Sequence, residues 1–143
     1  MTAQFTTTRR IEFSDTDMAG IAHFSCFYRY MEQAEHDYYR SLDLPIMMDM
    51  PDGAVLGFPR VSSKCKFEAP ARYDDVLEIR FNVARKGFKS LTFDIEFWNG
   101  ETRIAKGQIK SCCCTVRHGE PLVSIELPEP YASKIVEAES LAD

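Results

Sequence analysis

IEFSDTDMAGIAHFSCFYRYMEQAEH, residues 11–36, runs from a strand-like end through a polar, acid-bearing turn into an amphipathic helix. Asp15 and Asp17 flank Thr16, Gly20 permits a sharp backbone bend, and His23, Phe24 and Ser25 stand where the first helical turn begins. The first amides of a helix have no acceptor within it and, with the macrodipole, favour negative charge nearby. If Asp17 approached the carbon of a carbonyl whose oxygen lay against those amides, the stretch would hold both halves of an acyl-transfer site. The two aspartates equally suit a plainer role, bonding local backbone groups as turn residues.

Working outward, Phe27, Met31, Ala34 and Tyr38 follow the i, i+4, i+7, i+11 spacing of a buried helical stripe, which predicts a helix to about Ser41, with Pro45 beyond its end. Glu32, Glu35 and His36 also fall at helical spacings. Zinc patterns on one helix use two histidines, so this set reads as a solvated or interfacial charged face and not as a metal site. Upstream, residues 5–13 alternate as a strand. Downstream, residues 45–60 hold three prolines, two glycines and three methionines, and read as an irregular connection able to cover an apolar pocket, with Met47, Met48 and Met50 filling core.

A period of two then takes over. Val61, Ser63, Cys65, Phe67 and Ala69 form one face of a strand; Leu77, Ile79, Phe81 and Val83 a second; Leu91, Phe93, Ile95 and Phe97 a third. Lys86-Gly87 and Asn99-Gly100 supply short connections, the latter a type I′ hairpin signal, so antiparallel neighbours are expected. From about Thr102 to Val116 the small residues Ala105, Gly107, Ser111 and Cys113 share a face with Ile109 and leave room for a helix to lie close. Residues 131–140 suit a short terminal helix. The fold class expected is α+β, an antiparallel sheet of about five strands with one long early helix on its apolar face.

The 143 residues fit one domain, 1–143, with a C-terminal tail from about 128, and 45% apolar with 27% charged composition is that of a globular chain. A net charge of -5 argues against nucleic acid as the main partner and leaves a phosphate-bearing small molecule open. The N-terminus lacks a basic segment followed by an apolar core, and no apolar run reaches spanning length, so a cytoplasmic location without membrane contact is expected. Five cysteines, Cys26, Cys65 and Cys112 to Cys114, show no CxxC spacing and indicate neither a disulfide framework nor a zinc site. Cys26, near the helix start, ranks below Asp17 as a nucleophile.

On these residues the chain resembles the 4-hydroxybenzoyl-CoA thioesterase-like family, whose fold is the hotdog. The resemblance spans about residues 5–118 and is carried by Asp15-Thr16-Asp17, Gly20, His23, Phe27–Tyr30 and Glu32, with Phe67-Glu68-Ala69-Pro70-Ala71-Arg72-Tyr73-Asp74-Asp75 in support. It implies a sheet wrapped around the helix, and a homodimer or homotetramer joined along edge strands with active sites at subunit boundaries. It also implies hydrolysis of an acyl-CoA thioester to free acid and CoA, without a cofactor. The family's essential aspartate falls on Asp17, acting as nucleophile through a mixed anhydride or as general base for water. The residue whose backbone amide polarises the thioester carbonyl falls on Phe24, and His23 matches a histidine of one branch.

CoA phosphates call for a basic edge, for which Arg85, Lys86, Lys89 and Ser90 are the first candidates and Arg60 and Lys64 weaker ones. Met18-Ala19-Gly20-Ile21-Ala22-His23 replaces the proline-containing form of the aromatic-acid branch, so aromatic, short and medium acyl groups are all open. A hotdog hydratase or dehydratase is the nearest alternative; such enzymes pair Asp and His across four residues, whereas five separate Asp17 from His23. A non-catalytic module binding acyl-CoA or acyl carrier protein is a further one, which turnover distinguishes.

Overall fold

The computed structural model describes residues 2–139. In chain order its elements are strand β1 (Phe5–Arg10), a 3₁₀ turn (Phe13–Asp15), helix α1 (Phe24–Ser41), strands β2 (Met48–Asp49), β3 (Val55–Gly57), β4 (Arg60–Phe67), β5 (Val76–Lys86), β6 (Ser90–Asn99), β7 (Thr102–Cys112), β8 (Cys114–Val116) and β9 (Val123–Ser124), and helix α2 (Tyr131–Lys134). The main sheet has five antiparallel strands in the order β1-β5-β6-β7-β4.

Helix α1 forms where the apolar spacing predicts it, burying Cys26, Phe27, Tyr30, Met31, Ala34, Tyr38 and Tyr39 against that sheet. The alternating residues of β5 and β6, from Leu77 to Val83 and from Leu91 to Phe97, supply the opposing surface and are buried. Tyr38 stacks on Phe81 with centroids 4.8 Å apart, and Phe27 meets Phe97 edge-on at 5.2 Å. Such aromatic pairs contribute about 0.5–1.5 kcal/mol beyond area burial.

Gly107 sets how close the helix lies to the sheet. A methyl group there would stand 2.3 Å from Met31 Sδ and 3.1 Å from the Lys64 carbonyl oxygen, and Met31 is fully buried. Gly107→Ala is therefore expected to destabilise the fold by about 1–3 kcal/mol, the cost of overpacking a filled core. In a chemical-denaturation cycle with Met31→Ala, the double variant should lose less than the sum of the single ones, because the cavity accepts the methyl.

Several elements depart from the sequence expectation. β1 stops at Arg10; the chain then turns at Phe13–Asp15, where Asp15 Oδ2 accepts from Glu12 N at 3.0 Å, and Phe13 is exposed. The 45–60 connection is not irregular throughout: β2 and β3 join β8 and β9 in a second, four-stranded sheet. Met48 and Met50 pack on the core, whereas Met47 is exposed. The expected strand from 102 to 116 is broken at Cys113, whose N–H bonds the Lys89 carbonyl, so β8 leaves the main sheet for the small one.

The hairpin after Asn99 closes around Gly100-Glu101, with Asn99 opposite Thr102 and positive φ at Gly100 but not at Glu101. Type I′ needs positive φ at both central residues; one glycine in the first position gives the II′ pattern instead. The shift accompanies a bulge between Phe97 and Trp98. α2 is a single turn, and Ser140, the last residue expected in it, lies outside the described residues. The apolar face predicted for β4 is only partly covered within this chain: Cys65 packs on the core, whereas Val61, beside a bulge between Arg60 and Ser62, and Phe67, at the strand end, are exposed. No helix among the described residues is long and apolar enough to cross a membrane.

Candidate active site

The loop before α1 is fixed by its own backbone. Asp17 N donates to Ile21 O (2.9 Å), Gly20 N to Asp17 O (2.9 Å) and Ala19 N to Asp17 Oδ1 (2.9 Å), while Gly20 takes φ +79°. Ala22 N reaches Ala71 O at 2.7 Å, which ties this turn to the chain entering β5. Asp17 is thus the turn residue that its position suggests, yet only Oδ1 is so engaged. Its Oδ2 has no hydrogen bond among the described residues, and the half-buried side chain lines a cleft.

Asp15 binds the loop to the helix. Its carbonyl accepts from His23 N at 2.8 Å and from the Cys26 thiol at 3.3 Å. His23 is the N-cap of α1: Nδ1 accepts from Ser25 N at 3.3 Å and lies 2.8 Å from Ser25 Oγ. With Nδ1 accepting, a neutral ring carries its proton on Nε2. His23 therefore serves the helix start, and its ring lies beside that of Phe24 with centroids 4.6 Å apart. Phe24 is the first helical residue, and its N–H donates to no group among the described residues. Cys26 is buried, which pushes its thiol above the usual range and disfavours the thiolate a nucleophile needs.

The cleft, about 540 Å³, is lined by Asp17 and by Phe24, Phe27 and Phe67, with Ile21 and Ala71 also in its wall. Phe67 meets Phe27 at 5.5 Å and Phe24 at 6.3 Å between centroids. The other acid on the lining, Glu68, is held by Arg103 through contacts of 2.5 and 2.9 Å. Of the two acids on the lining, Asp17 is thus the one with an oxygen that makes no hydrogen bond among the described residues. Sequence reasoning gave Phe67 no individual role; an aromatic residue on the open edge strand is the signal that marks it.

The cationic candidates fall elsewhere in this chain. Arg60 donates to Oε2 of the fully buried Glu35 at 2.9 Å, lies 2.8 Å from its Oε1 as an ion pair and reaches Glu32 at 3.3 Å, so of the charged face expected to be solvated or interfacial, Glu35 is buried beneath Arg60 within this chain. Burial raises the Glu35 carboxyl to about 7, against the opposing pull of Arg60. Lys64 stands exposed on β4. Arg85, Lys86, Lys89 and Ser90 surround the turn between β5 and β6, at the far end of β5 from the Asp17 loop, roughly 33 Å along the strand. Lys86 also caps the C-terminal segment, donating from Nζ to Ala132 O and from its backbone N–H to Glu137 Oε2.

A long helix on a five-stranded antiparallel sheet, with an acid-bearing loop at the helix start, defines a hotdog-fold hydrolase. Residues 19–106 match the model of the thioesterase superfamily, more than half of the sequence, and the chain belongs to that family of thioester hydrolases. It is 34% identical over 119 residues to a provisionally named esterase of Aquifex aeolicus (strain VF5), covering 82% of this chain and 88% of that one. It is 29% identical over 136 residues to the 4-hydroxybenzoyl-CoA thioesterase of Pseudomonas sp. (strain CBS-3), covering 92% and 96%. The structure of a gentisyl-coenzyme A thioesterase superposes with a TM-score of 0.76 at 28% identity, covering 87% and 97%.

Proposed function

We propose that this protein hydrolyses acyl-CoA thioesters, with Asp17 as the catalytic carboxylate and the Phe24 N–H as oxyanion donor. The observation that carries this reading is one apolar cleft lined by both Asp17 and Phe24, where Asp17 has an unengaged oxygen and Phe24 an unengaged amide at a helix start. Attack on the thioester carbon, by Asp17 Oδ2 or by water that it deprotonates, moves charge onto the carbonyl oxygen beside that amide. Collapse of the tetrahedral adduct breaks the C–S bond and releases CoA. His23 Nε2–H is a donor that orients the acyl group or Asp17.

Aromatic acyl groups head the substrate order, since two relatives are named for them and three phenyl rings wall the cleft. A second copy completes the site. Self-pairing of β4 about a two-fold axis would lay the Arg60 end of one strand along the Phe67 end of the other. The Arg85, Lys86, Lys89 and Ser90 turn of that second copy then lies on the same side as this chain's cleft, as a basic edge for CoA phosphates.

Free-thiol release from aromatic, short and medium acyl-CoAs, with an acyl-carrier-protein thioester alongside, tests this reading. Turnover of an acyl-CoA supports it, and silence on every acyl-CoA sinks it. Phe24→Pro removes the amide donor together with the ring: proline is tolerated at the first helical position, and His23 already has φ -63° and ψ 139°, as a residue before proline requires. Loss of that donor is expected to lower kcat about 10²–10³-fold relative to Phe24→Ala. Phe24→Ala, which removes the ring and keeps the amide, separates the two contributions.

A further inference from the structure

The turn between β5 and β6 presents an aromatic ring that the fold does not use. Phe88 stands at its tip, 67% exposed and outside the hydrophobic core. The other exposed phenylalanines have neighbours: Phe24 and Phe67 line the cleft, and Phe13 faces Tyr73 edge-on at 6.1 Å. The Phe88 ring meets no other aromatic ring among the described residues. Its backbone is held from three directions, for Phe88 O accepts from Leu127 N at 3.1 Å, Lys89 O from Cys113 N at 2.7 Å, and Gly87 N donates to Ser90 O at 2.8 Å. A tip fixed in this way loses little freedom when a ligand settles on it.

Cations flank the ring. Arg85 and Lys89 are exposed and form no ion pair among the described residues, whereas Lys86 Nζ is engaged by Ala132 O. A single exposed apolar side chain is ordinary on a protein surface. An aromatic one on a fixed tip beside two unpaired cations matches a flat base that carries phosphates. We infer that Phe88 takes the adenine ring of acyl-CoA in a stacked contact, with Arg85 and Lys89 on the phosphates next to it. The assignment rests on the acyl-CoA reading above, in which this turn of a second copy flanks the cleft. Adenine offers apolar faces, and the ribose beside it bears the 3′-phosphate and the diphosphate, so one ring and two cations meet the whole nucleotide end of the substrate. The contact is remote from the reacting carbonyl, which makes Phe88 a binding residue and not a catalytic one.

The test is calorimetric titration of the full chain with CoA, beside kcat/KM for one acyl group presented both as its CoA thioester and as its pantetheine thioester, which lacks the nucleotide. Phe88→Ala is expected to weaken CoA binding about tenfold and to lower kcat/KM for the acyl-CoA by a similar factor, as loss of one base-stacking contact implies, while the pantetheine thioester is unaffected. Phe88→Trp should keep the affinity. Its added indole fluorescence, measured over the background of Trp98, should be quenched by adenosine 3′,5′-bisphosphate, a signature that a structural role for the ring would not give. Phe13→Ala, which removes an exposed ring elsewhere, should bind CoA as the wild type does. No CoA binding by the wild type, or binding that Phe88→Ala leaves undiminished, overturns the assignment. Hydrolysis of both thioesters would then still uphold the reading of the cleft, whereas silence on both, with CoA bound through Phe88, would sink that reading and leave this one standing.

Discussion

Asp17→Asn is expected to lose thioester hydrolysis by about 10²–10⁴-fold in kcat, the range for removal of a positioned acid–base group, with KM little changed. The substitution isolates chemistry from structure. Asp17 holds its turn through one oxygen, accepting from Ala19 N, and the amide oxygen of asparagine makes the same bond. What disappears is the negative charge on Oδ2, and with it the power to attack or to deprotonate water. Steady-state kinetics on the best acyl-CoA, beside a thermal melt showing an unchanged fold, decides the matter. Equal turnover by the two proteins would remove Asp17 from the mechanism.

Arg60→Met is expected to destabilise the fold by about 3–5 kcal/mol at pH 8, because it leaves the Glu35 carboxylate buried without its partner. Glu35 is fully buried, and Arg60 also donates to Ser111 Oγ at 3.1 Å. The sign of the pH dependence follows from the raised carboxyl. A group protonated more readily in the folded state stabilises below its unfolded value of 4.5, and that contribution is lost as pH rises to about 7, after which the wild type is flat. Without Arg60 the carboxyl rises further, so the decline continues beyond pH 7 and the gap between the two proteins opens there. Urea denaturation at pH 5 and pH 8 reads this directly. A pH-independent gap would show that Glu35 is not its source; adding Glu35→Gln to Arg60→Met should abolish the pH dependence.

Helix α1 was legible because one stripe of Phe27, Met31, Ala34 and Tyr38 can be buried only at a helical period, and β5 and β6 because their alternation is unbroken. The closeness of α1 to β7 was legible in Gly107. Three other features were not, each because the deciding contact is distant in sequence. Glu35 looks like part of a charged face until Arg60, 25 residues later, is brought over it. The Gly100-Glu101 turn depends on a bulge at Phe97/Trp98 that side-chain alternation does not reveal. The small sheet needs β3 and β8, two three-residue strands separated by most of the main sheet, to find one another. At the candidate site, local pattern marked the Asp17 loop and the helix start, and the family resemblance singled out Asp17 and Phe24, but the cleft they line also takes its wall from residues 67–71, distant in sequence.

The break at Cys113 bears on what can move. β7 and β8 are two parts of one stretch, so the strand run that builds the interior of the main sheet also carries the anchor of the 45–60 connection. That connection is stitched at Val55, Leu56 and Gly57 to the partners Val116, Thr115 and Cys114. A cover free to swing would need slack at its ends; this one is fastened to the same cable that spans the sheet, and lifting it would pull against β7. The connection behaves as a brace and not as a cover that opens.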